Sequence, residues 1–312
     1  MVLLVEKLSR SLKFPHRPEN HRRLKKPDAS SSSLLNFRSK ISEFIAGILV
    51  EPQLVSAAGF TKCFELIHTT NRAFSELLIE LDYPMNSSQW CANLTHHYLS
   101  CTLHLLTLSN AVTSAAARLN QSKMSILHAA ALINTSPPTP SASLHLNIIS
   151  VITINPGEMF RSETPMIAME EEKACSKQEQ AIAEALILCK NIGFLAMGFV
   201  VSGLCGDDQA YLEIKKIAGG FDDSLLREVD SRLHRELKKG MVEVREVNMA
   251  TENLQSAIMS DNGRCSEAVE EVKRRLKVME NSIHEIEKKA NDLFSQVLSV
   301  RNKLLANIRL PE

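Results

Sequence analysis

The chain has 312 residues, enough to bury a large core in one or two domains. Its 36 basic and 36 acidic residues balance, which excludes a strong overall charge that would attract nucleic acid or acidic substrates. Aromatic residues make up only 5% of the sequence, while helix-forming residues such as Leu, Ala, Glu and Lys are frequent. The composition therefore favours a helical protein over one built from sheets.

Seven cysteines are scattered through the chain, and no two of them have the Cys-x-x-Cys spacing of a ribbon-type zinc site. Such an odd, scattered set does not predict a disulfide framework. Most of the cysteines lie in apolar periodic stretches, where a free thiol behaves as a small hydrophobic side chain. A reducing compartment is the simplest interpretation.

Residues 1–33 form a distinct basic arm, and the first forty residues contain ten Lys or Arg but only three acidic residues. Three interpretations of the arm remain open: a flexible segment, which we favour, a short helix on an anionic membrane, and a transit peptide. Aromatic residues do not alternate with the basic ones, so we expect no nucleic acid partner. The apolar side of the short helix would consist of Val2, Leu3, Val5, Leu8 and Leu12.

Residues 34–134 are predicted to form the N-terminal helices of a bundle. Apolar residues recur at helical spacing within 37–48 and 60–81, and Pro84 disfavours a helical conformation at the residue before it. A third, longer helix is predicted over about 90–134. Its many Ala, Leu and Ser residues indicate close packing against neighbouring helices.

Residues 135–180 interrupt this pattern, because five prolines make a continuous helix impossible. The stretch from Leu144 to Ile154 is rich in Ile and Val and has the composition of a strand, but an isolated strand without a partner is unstable. We therefore predict an irregular linker, with helix returning near Gln178.

Residues 181–204 form the most apolar predicted helix, and the fourteen residues from Ile192 to Cys205 carry no charge. That run is shorter than the roughly 20 residues that cross a membrane, and a longer span would carry Glu184 and Lys190 into the lipid. Two interpretations remain open: the buried central helix of the bundle, which we favour, and a transmembrane span. Four glycines let a neighbouring backbone approach closely in either case: Gly193, Gly198, Gly203 and Gly206.

The C-terminal part of the chain, within 181–308, is predicted to end in a long antiparallel helical hairpin of the same bundle. Apolar residues within 226–258 mark the first arm, and the residue types of Asp261–Gly263 favour a turn after it. The second arm carries a helix-packing seam of apolar residues spaced alternately by three and four. Two such arms cover each other, so a monomer is favoured over a homodimer. The seam consists of Val269, Val272, Leu276, Met279, Ile283, Ile286, Ala290, Leu293, Val297, Val300 and Leu304.

His97, Cys101 and His104 share one face of the predicted third helix and are the only weak candidates for a metal site. Three ligands on two helical turns rarely converge, and a fourth would have to come from another helix. We therefore predict no metal and no cofactor. The chain has no phosphate-binding loop, nucleophile elbow or zinc-protease motif, and we predict that it is not an enzyme.

Six local sequences occur in order along most of the chain. They are MVLLVEKL, FELIHTTNRAFSELLIELDYP ending at Pro84, Trp90, Arg118-Leu119-Asn120-Gln121, NIGFLAMGFVVSGLCGD and DLFSQVLSVRNKLL. Each alone mainly marks where a helix begins or ends, but together they resemble the plant BYPASS-related family. The chain departs from that family's pattern in residues 135–180, where LHLNIISVITINP occupies 144–156.

The resemblance implies a helical plant protein that regulates development by restraining a root-derived mobile signal to the shoot. A related branch of the family is linked to secretion and the exocyst, and some members are labelled chloroplastic or membrane-associated. The family has no established catalytic residues. We therefore expect a non-enzymatic regulator or adaptor that binds protein partners through helical surfaces, in the cytoplasm or at an anionic membrane, or alternatively in the chloroplast. The alternatives are a secretion-linked adaptor, an integral membrane protein, and a small-metabolite-binding protein or enzyme.

Overall fold

The computed structural model describes residues 29–81, 89–134, 146–155, 160, 176–260 and 265–309. Within these ranges it contains eight helices and no strand, which confirms the predicted all-α bundle. The helices are α1 (Ala29–Leu49), α2 (Ala57–Leu81), α3 (Gln89–Asn134), α4 (Lys177–Cys205), α5 (Gln209–Ala218), α6 (Ser224–Leu237), α7 (Val242–Ser260) and α8 (Cys265–Arg309).

Helix α4 lies at the centre of the bundle, in contact with α1, α2, α3, α5 and α6. Every residue from Ile192 to Cys205 is buried, as expected for a helix that is apolar on all sides. A capping box between Ser176 and Glu179 begins the helix, and Gly206 ends it with a φ of 85°. Among the described helices, α4 alone is long and apolar enough to cross a membrane, and 78% of its most apolar 18-residue stretch is buried inside the protein.

Three glycines of α4 lie under side chains of neighbouring helices. A Cβ atom at Gly203 would lie 2.3 Å from the Cζ atom of Phe60, and one at Gly193 would lie 2.9 Å from a methyl group of Leu105. At Gly198 the added atom would lie 3.1 Å from Ile214. These three positions allow close helix packing, whereas Gly206 is needed for its left-handed backbone conformation and has open space beside it.

Helices α3 and α8, of 46 and 45 residues, pack against each other in an antiparallel arrangement. Arg301 donates hydrogen bonds to the backbone oxygen of Leu99 and to the hydroxyl of Thr102, and Lys123 pairs with Glu280 further along. Ten residues of the predicted seam, from Val269 to Val300, are buried with at most 6% of their surface exposed. The side chain of Leu304 lies outside the described part.

The predicted first arm of the C-terminal hairpin is wrong as a single helix. It is divided into α6 and α7 by a turn at 238–241, in which Gly240 has a φ of 69°. Helix α7 packs against α8, while α3 and α2 also cover the seam. A long seam thus has several partners because the 19 residues of α7 cannot span the 45 residues of α8. The predicted turn at Asp261–Gly263 lies outside the described residues.

Residues 146–155 form neither helix nor strand, as predicted for an irregular linker. They are not a free linker, however, because hydrogen bonds and buried side chains attach them to the bundle. We call this segment the strap. The amide of Ile152 donates to the Cys205 oxygen, and the Asn248 side chain bonds both backbone groups of Ile149. The buried residues Leu146, Ile149 and Ile152 recur every third position, a repeat that matches an extended polyproline-type chain better than a strand. The rest of 135–175, apart from Phe160, lies outside the described residues.

The predicted boundary between the basic arm and the bundle is also shifted. Helix α1 begins at Ala29, so residues 29–33 belong to a helix. The remainder of the predicted arm, residues 1–28, lies outside the described residues. Helix α1 runs antiparallel to α2, since Asn36 pairs with Glu80 and Lys40 with Glu76.

Candidate functional site

An open depression of about 580 Å³ lies between α1 and α2, and we call it the α1–α2 groove. Its apolar floor includes the half-buried ring of Phe44 and the buried residues Ile48 and Ala73. Charged side chains stand along both edges. The lining residues are Lys40, Glu43, Phe44, Gly47, Ile48, Lys62, Glu65, Thr69, Arg72, Ala73 and Glu76.

A second depression of about 350 Å³ adjoins the groove, because Phe44, Glu65 and Thr69 line both. It is extended by residues of α8, among them Lys289 and Leu293. The two depressions thus form one continuous surface feature across parts of α1, α2 and α8. An apolar floor between charged edges is typical of grooves that accept an amphipathic helix.

The basic side chains of the α1–α2 groove are already paired with carboxylates. Lys40 and Arg72 both contact Glu76, and Lys62 pairs with Glu51. The hydrogen bond from Lys40 is the largest cause that lowers the pKa of Glu76 below its ordinary value.

Two other carboxylates of the groove are not engaged in this way. Glu43 and Glu65 are exposed, and neither has an ion-pair partner among the residues that the structure describes. The groove therefore offers two unpaired negative charges to a ligand, beside basic groups whose charge is already balanced.

Gly47 is exposed in the groove within helix α1, and a Cβ atom there would meet nothing within 4 Å. Glycine inside a helix costs roughly 0.5–1 kcal/mol relative to alanine. No contact among the described residues requires a glycine at this position, unlike Gly203 beneath Phe60. What Gly47 does provide is an unobstructed approach to the backbone of α1 from the groove.

A buried polar network joins α5 to α6. The fully buried Tyr211 donates its hydroxyl to Oδ1 of Asp230 at 2.7 Å, and Lys215 lies 2.7 Å from Oδ2 of the same carboxylate. His234 stacks on Tyr211 and lies 3.0 Å from a carboxylate oxygen of Asp208. Burial and the bond to Asp230 raise the pKa of Tyr211 well above its ordinary value, so this phenol stays neutral. The network is a structural clamp between the two helices.

The structure does not gather His97, Cys101 and His104 into a metal site. No group of three metal-binding side chains occurs within the described ranges. His104 is buried between Phe160 and Phe194, and its Nδ1 lies 2.7 Å from the Ser100 oxygen. Its neighbours thus hold the ring as a core residue.

Burial explains the chemistry of the thiols in the same region. It raises the pKa of Cys101 to about 11 and that of Cys189 well above its ordinary value. Both cysteines, with Tyr98 and Lys190, line a cavity of about 30 Å³, which has room for about one water molecule. Protonated thiols around so small a space are poor nucleophiles and poor metal ligands.

Comparison with known protein families, with curated protein sequences and with solved structures finds no match to this chain. The resemblance to the BYPASS-related family therefore stays a prediction.

The α1–α2 groove is not predicted by the sequence. Phe44 was recognised as part of a periodic apolar stretch, but a groove depends on how α1, α2 and α8 are placed together. One signal was available in the sequence: Gly47 interrupts an otherwise regular amphipathic helix without ending it.

Proposed function

We propose that this protein is a non-enzymatic adaptor whose α1–α2 groove binds an amphipathic helix of a protein partner. The observation that carries the proposal is the groove itself: an open apolar floor around Phe44, with Gly47 leaving the backbone of α1 accessible. A docked helix, about 10 Å across, would cover Phe44 with apolar side chains. The unpaired carboxylates of Glu43 and Glu65 favour a partner helix with a basic polar face.

The biological setting of the proposal comes from the sequence resemblance. A plant regulator of development, which restrains a root-derived signal to the shoot, would use such a groove to hold a partner rather than to transform a substrate. Placement in the cytoplasm, or at an anionic membrane through the basic arm, is part of the same proposal, with a chloroplast as the alternative. The burial of α4 within the bundle supports the interpretation of this helix as core rather than as a membrane span.

A small-metabolite-binding protein is the second candidate, and the volume of the groove favours it. About 580 Å³ lies within the range of roughly 300–1,000 Å³ that small-molecule sites occupy. The groove is open, however, and such sites bury most of their ligand. We therefore prefer a helix as the occupant.

Gly47 supplies a direct test of the adaptor proposal. Gly47→Trp would fill the groove from a position where nothing obstructs the added side chain, and Gly47→Ala is the matched control. Both variants and the wild type are used as bait in root extract, after thermal melting has shown that they are folded. Partners retained by wild type and Gly47→Ala but lost with Gly47→Trp are the expected result. Recovery of the same proteins by all three baits, or of none by the wild type, would contradict the proposal.

A further inference from the structure

We propose that residues 2–14 of this chain dock in the α1–α2 groove and compete there with the partner helix. The inference rests on the proposed function, because it concerns the regulation of that same groove. The protein would then carry its own inhibitor, which a partner must displace. The pattern of the segment, the charge of the groove, the length of the chain between them and the access at Gly47 support the proposal independently.

The sequence of the segment has the chemistry that the groove favours. Val5, Leu8 and Leu12 fall at spacings of three and four, and therefore share one face of a helix. The basic residues of the segment recur every third position, on another face. They are Lys7, Arg10 and Lys13. Pro15 disfavours a helical conformation at Phe14, so such a helix would end at about Lys13.

The charges of the segment and the groove are complementary. The segment carries three basic residues against Glu6, while Glu43 and Glu65 have no ion-pair partner within the described part of the chain. With the apolar face of the segment on the ring of Phe44, Lys7 and Lys13 lie on its two flanks, and their long side chains can extend to the edges of the groove. Arg10 lies on the side away from the groove. Opposite charges at the rim of an interface mainly select the ligand and its orientation.

The chain between the segment and the bundle is long enough to allow this contact. Helix α1 begins at Ala29, and Gly47 lies eighteen residues further, about 27 Å along the helix axis. Residues 15–28 span at most about 46 Å when extended, and about 20 Å as a flexible coil. A segment tethered in this way therefore reaches the groove without a strained connection.

Gly47 provides the access that a helix in the groove requires. Open space lies over its backbone, so an approaching helix meets no side chain from this position. Small residues in a helix contact let two backbones come close. The same position therefore serves the tethered segment and the partner helix, which makes their binding mutually exclusive.

The test uses the full chain and a fluorescent peptide of residues 1–15. Leu8→Asp/Leu12→Asp removes the apolar face of the tethered segment, and Arg10→Glu makes the same change in charge on the opposite face. We expect the peptide to bind the first variant about tenfold more tightly than wild type. That factor follows from an effective concentration of about 1 mM and a peptide dissociation constant of about 100 μM. The charge-matched control is expected to lie nearer to wild type.

Adding Gly47→Trp to Leu8→Asp/Leu12→Asp should abolish peptide binding. Equal affinity of the peptide for wild type and Leu8→Asp/Leu12→Asp, or peptide binding that Gly47→Trp leaves intact, would overturn the inference. If Leu8→Asp/Leu12→Asp changes only the binding of the chain to phosphatidylserine-containing vesicles, the segment is a lipid anchor and the inference fails. If partner capture still depends on Gly47 in that case, the proposed function stands. If neither partner capture nor peptide binding depends on Gly47, both proposals fail.

Discussion

The Nζ atom of Lys123 lies 2.7 Å from Oε1 of Glu280, and the pair joins the two longest helices among those described, α3 and α8. Lys123 is 9% exposed, so its ammonium group needs the partner that Glu280 supplies. Lys277 binds the other carboxylate oxygen of Glu280 at 2.7 Å. The Glu280 carboxylate thus bridges Lys123, at the edge of the core, and the exposed Lys277.

This bridge predicts a loss of stability in acid. Hydrogen bonds from Lys123 and then Lys277 hold the pKa of Glu280 at about 2, below the value of about 4.3 in an unfolded chain. The stabilisation is therefore complete above about pH 4.3 and is lost as the pH falls toward 2. We expect the urea midpoint of Lys123→Met to fall less than that of wild type between pH 5 and pH 2.5. Lys288→Met, at an exposed position of α8, is the control, and an equal decline in Lys123→Met and wild type would refute the assignment.

The buried seam of α8 predicts a severe effect of charge at its middle. Ile283 is completely buried, and Ile283→Asp would place an unpaired carboxylate in the contact. An uncompensated buried charge costs about 3–5 kcal/mol of the free energy of unfolding. Chemical denaturation measures this loss. Asn281→Asp, two residues away and exposed, is expected to change the free energy by less than about 0.5 kcal/mol. Similar values for the two variants would show that the seam is not the packing face.

Gly203 predicts a packing defect that a second substitution relieves. The Cβ atom of Gly203→Ala would lie 2.3 Å from Phe60, so the ring has to move, at a cost of about 1–3 kcal/mol. Phe60→Leu provides space for that methyl group, and we expect the double variant to be more stable than the sum of the two single effects predicts. Thermal and urea unfolding of all four proteins measure the coupling. Strict additivity would mean that the two residues do not share this contact.

The clamp between α5 and α6 predicts a coupling energy between Tyr211 and Asp230. Tyr211→Phe removes one hydrogen bond and should cost about 1 kcal/mol. Asp230→Ala strands the Tyr211 hydroxyl and releases Lys215, and should cost more, about 2–3 kcal/mol. In the double variant the penalty of the stranded hydroxyl disappears. The double variant should therefore lose less free energy of unfolding than the two single variants lose together. A coupling energy near zero in the double-mutant cycle would contradict the clamp.

The sequence was sufficient to predict the long helices, because periodic apolar residues and proline boundaries are local signals. The residues 37–48 lie in α1 and 60–81 in α2, and the uncharged run from Ile192 to Cys205 is buried in α4. The sequence failed where structure depends on distant partners. The strap follows neither a strand nor a helix repeat, and it is held by Asn248 and Gln255, about a hundred residues away.

The break between α6 and α7 was missed for a different reason. Leu237 and Val244 are seven residues apart, so the apolar stripe keeps a helical spacing across the turn even though the backbone does not. Only Gly240, with its positive φ, marks the interruption. The groove could not be predicted from the sequence, since no single helix contains it.

The position of α4 in the chain has a consequence for synthesis. Helices α1 to α3 leave the ribosome first, yet α4, which lies against all three, ends only at Cys205, 71 residues after Asn134. At roughly 5–20 residues per second, the nascent chain waits about 4–14 s with an uncovered apolar interior. During that interval it is a natural client for chaperones on the ribosome, and a message truncated before Cys205 should yield an insoluble product.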